Sequence, residues 1–495
     1  MNWADSLLYP PLQSPIDLLL SKSECTLEEL LECEDFPQEF QSNSSLVEFC
    51  KEPAIIKRIL QYTMYDYPKD VDQSLSNKFH LVCVSIFAEP SQLSEVIGST
   101  QELVDYVFAA IASENKTKMG AAGLVLSSVI SSDNYLVYKR FTEDETIIKT
   151  IMENYDVPGF LDSIFQFMHL ENDDKYSGVI EYICKFGFIK NILQTMMNST
   201  DLDTITNIST FIHNIVVWKV SYTNSKAIKF LSLLNQNEFL QSFVEFAFVS
   251  KDYFVVEHIL RDVSNILACS TFLVYPDQNN LPGIFKSVLT QINKFPDIFH
   301  LKNTSCVINN LLYVVLSLVL SGFDTIIDAI VASNTMKLLV ELLYGDHMST
   351  IVRQSVLMAI SAVISSKVSK VLISLLDDGK FLKLLVEKDK ESVAIQAEKN
   401  IGPDYWLVAA SIMKNLYEMV PEEESDIGEV ERIIIDDNEF MEYVKNIVIP
   451  RDEAQSEYFT TTDYGRDEDN YDEDSNEEVE EENDVNDDVN EDEQQ

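Results

Sequence analysis

The sequence predicts an all-α fold, an elongated α-solenoid of HEAT- or armadillo-like helical repeats with a disordered acidic C-terminal tail. Glycine and proline account for only 13 and 14 of the 495 residues, which favours long helices and short turns over a loop-rich β-sandwich. A short apolar helix, a polar turn and a longer helix also recur along the chain. The clearest copies of this unit begin at Phe188, Phe239, Ile284 and Met336.

The spacing of these copies indicates the class of repeat. Their starts are 51, 45 and 52 residues apart, slightly more than the period of about 40–47 residues that is typical of HEAT and armadillo repeats. Each unit is too small to bury its own apolar stripe. We therefore expect neighbouring units to stack and to share a continuous core, with the polar turns at the rims.

The segment from 18 to 50 is predicted to form the N-terminal cap of the array. Thr26 followed by Glu29 matches a capping box, so a helix should begin at Leu27. An acidic cluster follows this short apolar stretch, and Pro37 should end the helix because proline cannot continue one. The cap is therefore expected to start with a very short helix.

Similar signals place the next helices. Ser45 and Glu48 repeat the capping pattern, and Pro53 suits the first turn of a third helix. Small residues between 119 and 123 predict a close contact between two later helices. Before them, a longer helix should carry the apolar residues Phe79, Leu81, Val82 and Ile86.

The pattern becomes less regular beyond Lys370, where a charged stretch from 387 to 399 is expected to be mobile. High charge and few apolar residues cannot offset the entropy cost of folding, so the end of the chain should be disordered. The predicted organisation is a helical-repeat domain over 1–450, with its cap at 18–50 and a less regular end at 371–450, and an acidic tail over 451–495.

The charge of the chain restricts the class of partner. The formal net charge is −46, and residues 463–495 contain eighteen acidic residues and one arginine. The preceding residues still carry about −29. Since an acidic body repels phosphate backbones and anionic lipid headgroups, we expect neither nucleic acid nor a membrane as a partner. The expected partner is a protein.

Cysteine usage and hydropathy predict the compartment. The seven cysteines are scattered without a CxxC pair, which indicates buried thiols in a reducing compartment, the cytoplasm and also the nucleus. The first twenty residues lack the basic region of a signal or transit peptide. The uncharged run from 303 to 323 contains seven Asn, Ser or Thr residues, so it predicts a buried helix rather than a membrane span.

No motif in the sequence predicts catalysis. The phosphate-binding glycine loops, the GxSxG nucleophile motif, the HExxH zinc motif and the EF-hand loop are all missing from the sequence. His213 and His258 fall at matching places in two repeats, which indicates a repeated structural position rather than a metal site. We expect no enzyme activity, no metal and no cofactor.

The acidic cluster in the cap is the candidate protein-binding site. Its residues are Glu32, Glu34 and Asp35, together with Glu28 on the preceding helix. They suit a basic surface on a partner. The alternative is a solvated helix end, although acids at a helix C-terminus are mildly unfavourable against the helix dipole.

The tail offers two candidates for phosphorylation. Thr460 with Asp463, and Ser475 with Glu478, have the spacing that acidophilic kinases use. Such matches are frequent in any acidic tail, and most of them are incidental.

A series of features near the N-terminus resembles a known family. An aromatic residue, an apolar pair before a lysine, the motif TLxELL, an acid-rich segment and LxxF follow one another. These residues are Trp3, Leu19, Leu20, Lys22, Thr26, Leu27, Glu29, Leu30, Leu31, Glu34, Asp35, Leu46 and Phe49. In this order they resemble the start of the SAPS-domain family, the regulatory subunits of protein phosphatase 6-type enzymes. The chain departs from that pattern at Phe36-Pro37, in the Gly/Ala-rich stretch 119–123 and in the fragmentary end after Lys370.

The resemblance implies a function that the composition does not. It implies a non-catalytic scaffold that binds a metal-dependent Ser/Thr phosphatase catalytic subunit and directs its substrate choice or location. A helical array suits that role because it offers a long binding surface. The alternative is an armadillo-like adaptor for transport or assembly without a phosphatase link.

Overall fold

The computed structural model describes residues 14–88, 92–132, 135–221, 225–270, 281–301, 304–344, 349–377, 379–399, 406–421 and 427–454. All regular secondary structure in these ranges is helical. The predicted all-α solenoid class is therefore confirmed. Thr460, Ser475 and the remainder of the predicted tail lie outside the described residues.

The cap and the segment after it consist of short helices. Up to the end of the cap these are α1 Pro15–Leu20, α2 Leu27–Leu31, α3 Phe36–Glu39 and α4 Ser44–Cys50, and α5 Pro53–Thr63 and α6 Gln73–Ser85 follow the cap. The next helices are α7 Ser94–Ser99, α8 Gln101–Ile111, α9 Lys116–Ser131, α10 Tyr135–Glu143, α11 Glu145–Glu153, α12 Phe160–His169 and α13 Val179–Lys185.

The predicted helix pairs follow. They are α14 Phe188–Asn198 with α15 Leu202–Ser221, α17 Phe239–Ala247 with α18 Tyr253–Ser270, α19 Gly283–Leu289 and α20 Phe295–Phe299 with α21 Ser305–Leu320, and α23 Thr335–Tyr344 with α24 Thr350–Ser366. Two helices that the sequence reasoning did not predict, α16 Ser225–Asn235 and α22 Asp324–Ala332, lie between pairs. These extra helices explain why the copies are spaced more widely than a simple helix pair requires.

The C-terminal end of the described chain is also helical. It contains α25 Ser369–Leu376, α26 Lys380–Lys399, α27 Trp406–Glu418, α28 Glu429–Asp436 and α29 Asn438–Tyr443, and α29 continues through a π-helical turn at Val444–Val448 and a helical stretch at 449–454. The predicted mobile stretch at 387–399 is wrong, because these residues belong to α26. Its buried charge, Asp389, is paired with Arg451, a residue that the predicted boundary had assigned to the tail.

The helices form two layers. The longer helices pack in sequence, α9 on α12, α12 on α15, α15 on α18, α18 on α21, α21 on α24 and α24 on α27. The shorter helices form the second layer, in which α14 packs on α17, α17 on α19, α19 on α22 and α22 on α25. One continuous cluster of buried apolar side chains runs between them from Ile16 to Val448, as expected for units that share their core.

The glycines of α9 allow the close contact that the sequence predicts. A Cβ atom at Gly123 would lie 2.9 Å from Cδ1 of Phe160 and 3.1 Å from the backbone of Gly159. Ser163 of α12 also donates a hydrogen bond to the Gly123 carbonyl oxygen at 2.9 Å. Gly159 itself has a φ of 80°, which favours glycine because a side chain is strained there. The prediction of close helix packing is confirmed.

Two details of the predicted cap are wrong. Helix α2 ends at Leu31, and Pro37 lies in the first turn of α3, where its missing N–H costs nothing. The N-cap of α4 is Asn43, whose Oδ1 accepts the backbone N–H groups of Ser45 and Leu46, both at 3.1 Å. Ser45 therefore lies inside the helix that it was predicted to cap.

The uncharged run from 303 to 323 contains α21. Its side chains at eight of sixteen positions are buried against neighbouring helices, whereas Tyr313 and Leu320 are exposed. The predicted buried helix is therefore buried along one face and not on nearly all sides. Within the described ranges, no helix is long and apolar enough to cross a membrane.

Candidate protein-binding surface

A capping box fixes the start of α2, as predicted. The Thr26 hydroxyl accepts the backbone N–H of Glu29 at 3.3 Å, and the Glu29 carboxylate accepts the backbone N–H of Thr26 at 3.2 Å. This arrangement satisfies two free N–H groups of the first turn. The buried residues Leu27, Leu30 and Leu31 then hold the helix on the core, so the acidic residues after Leu31 are placed at the edge of the cap.

The Glu28 side chain forms hydrogen bonds within the chain. Its carboxylate accepts hydrogen bonds from Arg58 Nε and from the Tyr62 hydroxyl, the latter at 2.7 Å. Arg58 also pairs with Asp70 at 2.9 Å, and this contact lowers the pKa of Asp70. Burial and the hydrogen bond to Glu28 raise the pKa of Tyr62. Glu28 therefore joins α2 to α5, and its side chain is only 22% exposed.

Glu32, Glu34 and Asp35 are exposed, as a binding role requires. They lie in the turn between α2 and α3, and no side-chain hydrogen bond or ion pair joins them to another described residue. Asp35 occupies the N-cap position of α3 without a side-chain cap bond. An acid near a helix N-terminus is mildly favourable, so local electrostatics explains Asp35 in part but does not explain Glu32 or Glu34.

Two exposed leucines lie on the neighbouring helix α6, which packs against α2 and α3. Lys78 of α6 donates a hydrogen bond to the backbone oxygen of Glu32 at 3.4 Å, which places this helix beside the acidic turn. Leu75 and Leu81 flank Lys78 in sequence, and they are 39% and 71% exposed. We call Glu32, Glu34, Asp35, Leu75 and Leu81 the N-terminal surface.

The sequence pattern does not predict the leucines of this surface, because it places Leu81 with Phe79 on the apolar face of α6. The buried residues of that helix are Ser76, Phe79 and Cys83. Leu81 follows Phe79 by two residues, about 200° around a helix, so it points away from the core. The spacing of two residues between Phe79 and Leu81 therefore indicates, from the sequence alone, that both cannot face the core.

The charge around the N-terminal surface is strongly negative. Residues 14–52 contain ten acidic residues and two lysines, and Lys51 pairs with Glu48 at 2.8 Å. A surface of this composition suits a partner that presents basic side chains around an apolar contact.

His213 and His258, which fall at matching places in two sequence repeats, do not occupy equivalent positions in the fold. His258 is 8% exposed, and its Nδ1 lies 2.9 Å from the backbone oxygen of Phe254. His213 is exposed on α15. Ser209 of α15 faces Asp262 of α18, so His258 is level with Ile205 rather than with His213. The prediction that the two histidines share a repeated structural position is therefore wrong. Within the described ranges, no group of three metal-ligating residues occurs.

Comparison with known proteins identifies three curated relatives, each a regulatory subunit of serine/threonine-protein phosphatase 6. Serine/threonine-protein phosphatase 6 regulatory subunit 3-A of Xenopus laevis is 23% identical over 202 residues, which are 40% of this chain and 24% of that protein. The resemblance to phosphatase 6 regulatory subunits is confirmed. Regulatory subunit 3 of Gallus gallus is 21% identical over 202 residues, 40% of this chain and 23% of that protein.

The extent of these similarities is limited. The match to the phosphatase 6 regulatory subunits spans about a quarter of their length, and no protein-family model matches the chain. Among solved structures, an engineered protein is similar with a TM-score of 0.43, 14% identity and coverage of 86% of this chain and 98% of that one. A chain from a study of Kap95p binding to RanGDP has a TM-score of 0.42, 10% identity and coverage of 86% and 66%.

Proposed function

We propose that the chain is a regulatory scaffold subunit that binds a protein phosphatase 6-type Ser/Thr phosphatase catalytic subunit and directs its substrate choice or location. The observation that supports this most is the similarity to phosphatase 6 regulatory subunits over 202 residues. The stacked helical layers suit such a scaffold, since an array presents a long surface on which two proteins can be held together. The chain itself has no catalytic role in this proposal.

The N-terminal surface is the proposed contact with the phosphatase. Glu32, Glu34 and Asp35 are exposed and have no side-chain partner in the described chain, so they can accept basic groups without breaking an internal contact. Leu81 supplies apolar area beside them. Glu28 has a different role, because its bonds to Arg58 and Tyr62 position α2 and hold the acidic turn in place.

Affinity purification from cells tests this proposal. The chain should recover a Ser/Thr phosphatase catalytic subunit, and replacing Glu32, Glu34 and Asp35 together by lysine should reduce the recovery at least tenfold. A matched control replaces Glu114, Asp203 and Glu245, three exposed acids elsewhere, by lysine with the same change in net charge. The control should bind normally. Equal loss in both variants would indicate a general charge effect and would remove the N-terminal surface from the proposal.

The adaptor hypothesis gives a different result in the same experiment. Recovery of transport receptors or of basic peptide cargo, without any phosphatase, would favour an armadillo-like adaptor and would reject the phosphatase role. Recovery of only unrelated proteins in repeated purifications would reject it as well.

A further inference from the structure

The outward side of α21 carries no charge. The helix reads SCVINNLLYVVLSLVL, and the side chains at eight of its positions are buried. Cys306, Tyr313 and Leu320 are exposed and lie seven residues apart, so they form a line along the helix. Tyr313 and Leu320 are 46% and 56% exposed.

The adjacent helix α24 continues this apolar line. Ile351 and Met358 are 67% and 61% exposed, and they too are seven residues apart. The hydroxyl groups of Ser305 and Ser349 lie 3.2 Å apart at the N-terminal ends of the two helices. Tyr313 follows Ser305 by eight residues and Met358 follows Ser349 by nine, so the two side chains lie at nearly the same level along the two helices. We call four of these exposed residues the apolar stripe: Tyr313, Leu320, Ile351 and Met358.

The apolar stripe is unusual in a chain of this composition. Charged residues make up 24% of the sequence, yet α21 contains none and α24 contains only Arg353. Adjacent exposed apolar side chains of this kind mark a binding surface on a soluble protein. Because α21 has no charged residue and α24 has one, the apolar stripe suits an occupant that presents apolar side chains.

The described chain ends close to the apolar stripe. Lys414 of α27 donates a hydrogen bond to Asp452 at 2.8 Å, and their side chains are 36% and 43% exposed. Helix α27 packs on α24 and also on the π-helical turn at Val444–Val448. The chain therefore passes residue 454 on the partly exposed side of α27, one helix away from α24.

The ten residues that follow carry aromatic side chains that can pack on the apolar stripe. Residues 455–464 read QSEYFTTTDY and contain three aromatic residues, whereas residues 465–495 contain only Tyr471. Ten extended residues span about 33 Å, and neighbouring helices lie about 8–10 Å apart. The segment is thus long enough to cross α24 and reach α21.

We propose that residues 455–464 bind the apolar stripe of the same chain, with Tyr458 and Phe459 against Tyr313 and Met358. A second copy of the chain is a poorer occupant, because a stable interface buries about 800 Å² per partner and four half-exposed side chains offer less. A tethered segment needs less contact, since its effective concentration at the stripe is high. This proposal is independent of the phosphatase role.

Photo-crosslinking in the full chain tests the proposal. Replacing Phe459 by p-benzoylphenylalanine should give crosslinks that map to peptides of α21 and α24 after irradiation and proteolysis. The matched control places the same residue at Val489, in the acidic part of the tail, and should give at least fivefold fewer crosslinks to those helices. Met358→Glu should lower the yield from position 459 at least fivefold, whereas Leu81→Glu on α6 should leave it unchanged.

Three results would overturn the proposal. The first is a yield on α21 and α24 that is no higher from position 459 than from position 489. The second is crosslinking from position 459 mainly to other surfaces. The third is crosslinking between chains in a mixture of ¹⁵N-labelled and unlabelled protein, which would identify a second copy as the occupant. Tyr313→Glu serves as a second stripe variant if Met358→Glu lowers the melting temperature.

Discussion

The Arg451 guanidinium donates two parallel hydrogen bonds to the Asp389 carboxylate. Its Nη1 donates to Oδ2 at 3.0 Å and its Nη2 to Oδ1 at 2.9 Å, and the Asp389 side chain is completely buried. The Tyr443 hydroxyl donates to the same carboxylate at 2.8 Å. These bonds join the end of the described chain to α26, so we expect Arg451→Ala to leave a buried charge without its partner.

Loss of the Arg451–Asp389 ion pair should lower the free energy of unfolding by about 3–5 kcal/mol, as measured by urea denaturation. Lys390→Ala is the matched control, because Lys390 pairs with Glu439 at 2.7 Å between side chains that are 51% and 67% exposed. An exposed pair contributes only about 0–1 kcal/mol. Similar values for the two variants would mean that the buried pair does not hold the C-terminal end.

The contact between α9 and α12 can be tested with two glycines on one helix. Gly123→Ala places a methyl group 2.9 Å from Phe160, so overpacking should destabilise the protein by about 1–3 kcal/mol. At Gly120 the nearest atom would be 3.5 Å away, an ordinary contact, and Gly120→Ala should stabilise the helix by up to about 1 kcal/mol. Thermal unfolding of both variants should therefore shift in opposite directions, and a shift in the same direction would contradict the close contact.

Asp262 should make the stability of the α15–α18 contact depend on pH. Burial raises the pKa of this carboxyl group to about 8, although the hydrogen bond from Ser209 and the nearby Arg261 act in the opposite direction. Its pKa in the unfolded chain is about 4. The folded state therefore binds the proton more tightly, and the stabilisation present at low pH is lost as the pH rises from about 4 to about 8.

Asp262→Asn should remove this loss of stability with rising pH. Its free energy of unfolding should exceed that of the wild type by more at pH 8.5 than at pH 5, as measured by urea denaturation at both values. Asp203→Asn, at an exposed position of α15, is the control and should follow the wild type. Parallel pH profiles for wild type and Asp262→Asn would show that Asp262 is not the titrating group.

The cysteines should differ strongly in reactivity. Cys50, Cys83 and Cys269 are buried, whereas Cys306 is exposed. Burial raises the pKa of Cys50 to about 12 and that of Cys83 well above its usual value, and the thiolate is the reactive form. Maleimide labelling followed by mass spectrometry should modify Cys306 first and the buried thiols only on unfolding. Early labelling of Cys83 would contradict the packing of α6.

Local signals in the sequence predicted much of the fold. The capping box at Thr26 and Glu29 depends on residues within one turn, and both of its bonds form. Pro53 begins α5 as predicted. The apolar period likewise placed the paired helices from Phe188 onwards, because each stripe must face the shared core.

Long-range contacts explain what the sequence could not predict. Asp389 and Arg451 are 62 residues apart, so the local sequence could not show that this pair joins the charged stretch to the end of the described chain. The acidic cluster could be predicted as exposed, but nothing in its local sequence placed Leu75 and Leu81 beside it. That arrangement requires α6 to pack on α2 and α3, which only the folded chain reveals.

The most direct test of the proposed function is equilibrium binding between this purified chain and a purified phosphatase 6-type catalytic subunit. Biolayer interferometry should give saturable binding with the wild-type chain. The chain with Glu32, Glu34 and Asp35 replaced by lysine should bind at least tenfold more weakly at an unchanged melting temperature. Wild-type binding that does not saturate would contradict the phosphatase role, and equal affinity of wild type and variant would contradict the N-terminal surface as the site of contact.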